Sequence, residues 1–256
     1  MPVRQYVLSL VICAFSTQLF SKTCNSLKVS GSDQWHPIAY QEDGTAKGIG
    51  YDISRLIASE LALPIHIDTS LSWAQATKKL RAGKIDIMAG VYWTQERVRD
   101  FYLSEAFTKD TLNIYVNKGQ EFPYSRLKDL IGKKTDILKG SSNGEAFDNF
   151  ARIYLDKSSF NSVNSFKDLF IKLNDNDIDY AILDPFTTKK ILKELNLEDS
   201  VVSLEQPLEV NPVHLMLSKK SPCAKYISQI NNIITNFEMN GRLKKLHNKY
   251  LNLLEQ

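Results

Sequence analysis

Short apolar runs alternate along this 256-residue chain with longer stretches whose apolar residues recur at helical spacing. A strand covered on both faces reads as an unbroken apolar run, and a covering helix reads as a single apolar stripe, so the alternation points to α/β architecture. The pattern predicts strands over 27–30, 65–68, 85–89, 112–116, 135–138, 180–183, 201–204 and 213–217. Helices are expected over 51–61, 72–82, 127–130, 145–155, 166–173, 186–195, 224–239 and 242–254. Ser72 serves as an N-cap, Pro64 lies beyond a helix end, and Asn240-Gly241 separates the last two helices.

The length allows one large domain or two lobes of ordinary size. Hydrophobic content of 43% and charged content of 24% are those of a soluble globular protein. A formal charge of +3 without a basic cluster gives no footprint for nucleic acid. Residues 1–23 stand apart. Arg4 precedes an apolar run over 6–20, and Ser21, Lys22 and Thr23 follow, the layout of a secretory signal peptide too short for a membrane span. Cys13 would leave with that signal. Cys24 and Cys223 then remain as an even pair in an oxidising compartment, which suits a disulfide; Cys24 as a lipid-anchor cysteine is the alternative.

Residues 83–107 read as a helix end, a buried strand, a loop and a polar segment opened by Thr94-Gln95-Glu96-Arg97. An arginine just after a buried strand is well set to grip a carboxylate with its planar fork. The segment resembles the signature of the family 3 periplasmic solute-binding proteins: G-K-x-D, a small-residue strand, T-P-E-R and F-S-x-P-Y. Gly83, Lys84, Asp86, Thr94, Glu96, Arg97, Ser104 and Phe107 keep that pattern, and Gln95 replaces the proline. LKVSGSDQWHPIAY, GTAKGIGYDISRLIASEL and DLIGKKTDILKGSSNGEAF resemble other family segments, so the similarity spans the mature chain. It implies a two-lobed type II periplasmic-binding-protein fold joined by two crossover strands. Lobe 1 would be 24–109 plus 208–256, and lobe 2 would be 112–205.

The same resemblance implies site roles. Arg97, with backbone N–H groups of Gly90 to Tyr92, would bind an α-carboxylate. Asp184, at the end of the 180–183 strand, would hold an α-amino group, though an Asp before Pro185 also suits a helix cap. Ser141 and Ser142 precede the 145–155 helix, where they suit either closure on the ligand carboxylate or N-capping. Trp35 and Trp73 fall where the family puts aromatic walls. Tyr92 departs from the family's small hydroxyl, so its ring either swings aside or fills part of the pocket.

The expected function is capture of an amino acid or similar small zwitterion in the periplasm for an ABC importer, by a monomer docking on an inner-membrane permease. No cofactor, metal or catalytic residue is expected: the four histidines share no ligand spacing, and no C-x-x-C, H-E-x-x-H or G-x-S-x-G occurs. Two alternatives stand beside it, a ligand-sensing periplasmic adaptor and an enzyme on the scaffold of cyclohexadienyl dehydratases. For the enzyme, the sequence marks no second acid beside Arg97 and Asp184.

Overall fold

The computed structural model describes residues 23–156 and 158–254, so the expected signal peptide lies almost wholly outside them. The chain begins with β1 (Leu27–Ser30), the small strands β2 (Gln34–Trp35), β3 (Ala39–Glu42) and β4 (Thr45–Lys47), then α1 (Ile49–Glu60) and β5 (Ile65–Asp68). Next come α2 (Trp73–Arg81), β6 (Ile87–Tyr92), α3 (Gln95–Asp100) and the long β7 (Phe101–Asn117). The middle holds β8 (Thr135–Leu138), α4 (Glu145–Tyr154), β9 (Phe160–Val163), α5 (Phe166–Asn174), β10 (Ala181–Leu183), α6 (Pro185–Leu195) and β11 (Val201–Ser203). Strand β12 (Glu209–Ser218) and helices α7 (Ile227–Met239) and α8 (Arg242–Leu254) end it.

The main sheet runs β10-β7-β12-β6-β1-β5, with β11 also on β7. Parallel pairing of β1 with β5 and β6 requires crossover helices, and α1 and α2 are those crossovers. Strand β7 changes partners along its length. Up to Leu112 it pairs with β12, and from Asn113 it pairs with β10 and β11. The strand expected over 112–116 is thus only the end of a longer one. Polar Thr108-Lys109-Asp110-Thr111 hid the rest, because an antiparallel ladder with β12 tolerates side chains that pattern reading assigns to a loop.

Apolar stripes bury as their spacing requires. Ile53 and Ile57 of α1 pack with Leu27 and Val29 of β1 and with Ile230 and Ile234 of α7 in one core. Burial of each such side chain contributes about 1.5–3 kcal/mol. Ala76 and Leu80 of α2 pack on Met88, Val91 and Met216, which seats α2 against β6 and β12. A separate core under α5 and α6 joins Phe170, Leu173, Ile191 and Tyr115. A disulfide joins Cys24 to Cys223, and a sulfur so engaged has no valence left for a lipid thioether. No helix among the described residues is long and apolar enough to cross a membrane.

Candidate ligand-binding cleft

Strand β6 is buried along its whole length and carries the chain to the cleft at Tyr92. Thr94 then caps α3, its hydroxyl accepting from the Arg97 N–H at 3.2 Å, which fixes Arg97 in the first turn. The guanidinium folds back and Arg97 Nη1 donates to the Tyr92 carbonyl at 2.8 Å. Burial lowers its pKa, while the nearby Asp148 carboxylate opposes that fall.

Tyr92 neither swings out nor blocks the cleft. Its hydroxyl donates to Asp110 Oδ2 at 2.5 Å, and its ring stands edge-on to Trp35 with centroids 5.2 Å apart. Trp35 Nε1 donates to the same oxygen at 3.0 Å. Both aromatics therefore remain as cleft walls, held from behind by one buried carboxylate. Burial pushes the Asp110 carboxyl up to about 6, and burial beside Asp110 keeps the Tyr92 phenol neutral. Gly90 lies under Trp35 with φ +146°, and a Cβ there would sit 2.8 Å from Ile38 Cγ2 and 3.2 Å from Trp35 Cζ3. Only glycine fits that approach.

Asp184 is the N-cap of α6, and it is fully buried. Oδ1 accepts the Thr187 N–H at 2.7 Å, while Oδ2 has no partner among the described residues. Burial, and then Asp110, raise its pKa far above the usual carboxylate range. A buried carboxyl oxygen without a partner is costly, so Oδ2 is free to pair with an incoming polar group.

Trp73 opens α2 behind a Ser72–Gln75 capping box, and its Nε1 reaches the Gly140 carbonyl at 2.7 Å. The two sides of the cleft meet again where the His36 N–H donates to Thr187 Oγ1 at 2.9 Å and the Gln95 N–H donates to Glu145 Oε2 at 3.1 Å. The serine loop differs from the capping alternative. Helix α4 starts at Glu145 with Gly144 as a cap that has no side-chain bond, so neither Ser141 nor Ser142 is the N-cap. The Ser142 hydroxyl instead donates to Asp148 Oδ2 at 2.5 Å and accepts from the Gly144 N–H at 3.1 Å.

Trp35, Trp73, Tyr92, Arg97, Ser141, Ser142 and Asp184 line one cleft with about 490 Å³ of atom-free space, part of it open to solvent. Gly90 sits behind the wall. Sequence reading missed Asp110, which fell in a presumed connection, and Phe166, Leu138 and Leu183, which line the cleft as ordinary apolar residues of their elements.

The sequence profile of the bacterial extracellular solute-binding proteins, family 3, matches residues 27–253. The chain belongs to this family. Among curated relatives of this solute-binding protein, the probable amino-acid-binding protein YxeM of Bacillus subtilis (strain 168) is 22% identical over 237 residues, 89% of this chain and 84% of that one. Membrane-bound lytic murein transglycosylase F of Aeromonas hydrophila subsp. hydrophila is 28% identical over 148 residues, which cover 56% of this chain and only 29% of that protein. A histidine kinase sensor domain with similarity to periplasmic binding proteins superposes with a TM-score of 0.75 at 18% identity, covering 88% of this chain and 96% of that one. At that identity the match establishes the two-lobed fold alone.

Proposed function

We propose that this solute-binding protein captures an amino acid or similar small zwitterion between its lobes and delivers it to the inner-membrane permease of an ABC importer. In this reading it works in the periplasm as a monomer, after loss of residues 1–23. We take lobe 1 as 24–109 plus 208–256 and lobe 2 as 112–205, a division supported by the change of partners along β7 near Leu112. Arg97 receives the ligand carboxylate, Asp184 the ammonium, and Trp35 and Trp73 cover the side chain. Ser141 and Ser142 close from the second lobe.

The observation that carries the reading is Asp184 Oδ2, buried and without a partner among the described residues, on a residue that lines the same cleft as Arg97. An ammonium supplies the missing donors, and the interaction strengthens when closure removes water. Contacts such as Trp73 to Gly140 exist only when the walls meet, so a ligand that bridges them shifts the population toward the closed form.

The role is capture without turnover. Asp110 is the second acid that the sequence did not mark, but its Oδ2 is held by Trp35 and Tyr92 behind the wall, which does not favour proton transfer to a ligand. The test is isothermal titration of protein stripped by unfolding and refolding, against a panel of amino acids. Dissociation constants in the micromolar to nanomolar range, about −8 to −12 kcal/mol, support the reading. Absence of binding across the panel removes it.

A further inference from the structure

Arg97 and Asp184 are the charged residues among those described as lining the cleft, and the capture reading assigns both to the ligand's carboxylate and ammonium. What remains to meet a side chain is mostly carbon. The aromatic walls keep their polar atoms for the protein. Trp35 Nε1 and the Tyr92 hydroxyl both donate to Asp110 Oδ2, behind the wall, and Trp73 Nε1 donates to the Gly140 carbonyl. An indole N–H and a phenol each carry one proton, so none of the three donates again. Ser32 Oγ accepts the N–H groups of Gln34 and Trp35 at 3.1 Å each, which leaves its single hydroxyl proton. The Ser142 hydroxyl is engaged by Asp148 and by the Gly144 N–H. Ser141 and Asn143 belong to that same loop, assigned above to the ligand carboxylate. Five elements then bring apolar residues to the cleft: Val91 from β6, Leu112 from β7, Leu138 from β8, Phe166 from α5 and Leu183 from β10. Val91, Leu112 and Leu183 are buried, and the other two are half-buried.

We infer that the cleft takes amino acids whose side chain is aliphatic and uncharged, and refuses those whose side chain carries an amide or a charge. The inference rests on the capture reading above and names its ligand class. An aliphatic chain leaves water and packs against carbon on every wall. An amide of the same shape brings donors and an acceptor to walls whose polar atoms are already engaged. A polar group buried without partners loses its hydration and gains nothing in return. An ammonium fares worse, because the nearest acceptors besides Asp184 are Asp110 Oδ2 and the Gly140 carbonyl, and Trp35, Tyr92 and Trp73 occupy them. Selection thus comes from Asp110 and Gly140 turning three polar tips away from the ligand, so that rings with polar atoms present only their carbon faces.

The experiment is isothermal titration of the refolded wild-type protein with three sets of amino acids. L-Leucine and L-asparagine have side chains of the same branching and heavy-atom count, so their ratio isolates the amide. Leucine is expected at least about tenfold tighter, within the range for a buried polar group left unpaired. L-Alanine, L-α-aminobutyrate and L-norvaline lengthen the side chain by one methylene at a time. Each step is expected to tighten binding about fourfold, the value of one buried methylene. L-Norleucine and L-lysine share a four-carbon side chain, and norleucine is expected to bind tighter. Asparagine as tight as leucine, no gain along the methylene series, or lysine tighter than norleucine overturns the ligand class and leaves capture intact. If no amino acid binds, the capture reading itself falls and the ligand class with it.

Discussion

The Tyr92 hydroxyl donates to Asp110 Oδ2 across 2.5 Å, and both residues are buried. Where the family keeps a small hydroxyl facing its ligand, this chain turns a phenol inward and anchors it on a carboxylate. The same oxygen orders Trp35, so one buried acid positions two walls of the cleft. Deleting only the phenol oxygen tests that arrangement. Tyr92→Phe leaves Asp110 with one donor fewer in a buried place, a loss of about 1–3 kcal/mol in stability. Urea denaturation at pH 7 reads it as a lower midpoint with an unchanged slope. An unchanged midpoint would mean that the hydrogen bond contributes nothing.

Acid should weaken closure through His36. Its backbone N–H meets Thr187 Oγ1, its Nε2 lies 3.2 Å from Lys190 Nζ, and its ring stacks on Tyr40. Burial first, and then Lys190, lower its pKa to about 4, while Gln34 O, Glu42 and Glu194 pull the other way. The closed form therefore favours neutral imidazole. Above pH 6.5, the ordinary value, protonation costs closure nothing; as pH falls from there toward 4 the penalty accumulates, reaching up to about 30-fold in affinity at pH 5. Affinity measured from pH 7.5 to 5 should fall in the wild type and fall less in His36→Gln. Parallel profiles would remove His36 as the cause.

The disulfide ties the start of the described chain to the turn before α7, 199 residues away in sequence. Loop closure on that scale restricts the unfolded chain, and its removal costs about 2–5 kcal/mol. Thermal melts of exported protein with and without reductant should differ by several degrees, and thiol titration of the folded, unreduced protein should find neither cysteine free. Two free thiols before reduction would contradict the pairing.

The alternation of apolar runs and helical stripes made the α/β layers legible, because burial of one face is what those periods encode. The motif around Arg97 was equally legible: Thr94, Glu96 and Arg97 are local to one helix start, and the capping bond that fixes Arg97 spans three residues. Asp110 was not. Its significance depends on Trp35 and Tyr92, 75 and 18 residues away, meeting at one oxygen, and no local period records such a meeting. The capping alternative for the serine loop failed for a related reason. GSS before a helix suits a cap, but Asp148, six residues beyond Ser142, competes for the hydroxyl and wins. Residues 108–111 of β7 looked like a connection because their order comes from the β12 ladder, which lies a hundred residues downstream.

The proposed capture turns on Asp184, which caps α6 with one oxygen and has no partner for the other among the described residues. Asn also caps helices well, so Asp184→Asn should preserve the fold and remove the charge. The decisive measurement is isothermal titration of this variant and the wild type with the tightest amino acid of the panel, alongside their melting curves. The account predicts a loss of about 2–5 kcal/mol in binding, roughly 30-fold or more, with little change in melting temperature. Equal affinity in the two proteins would contradict it.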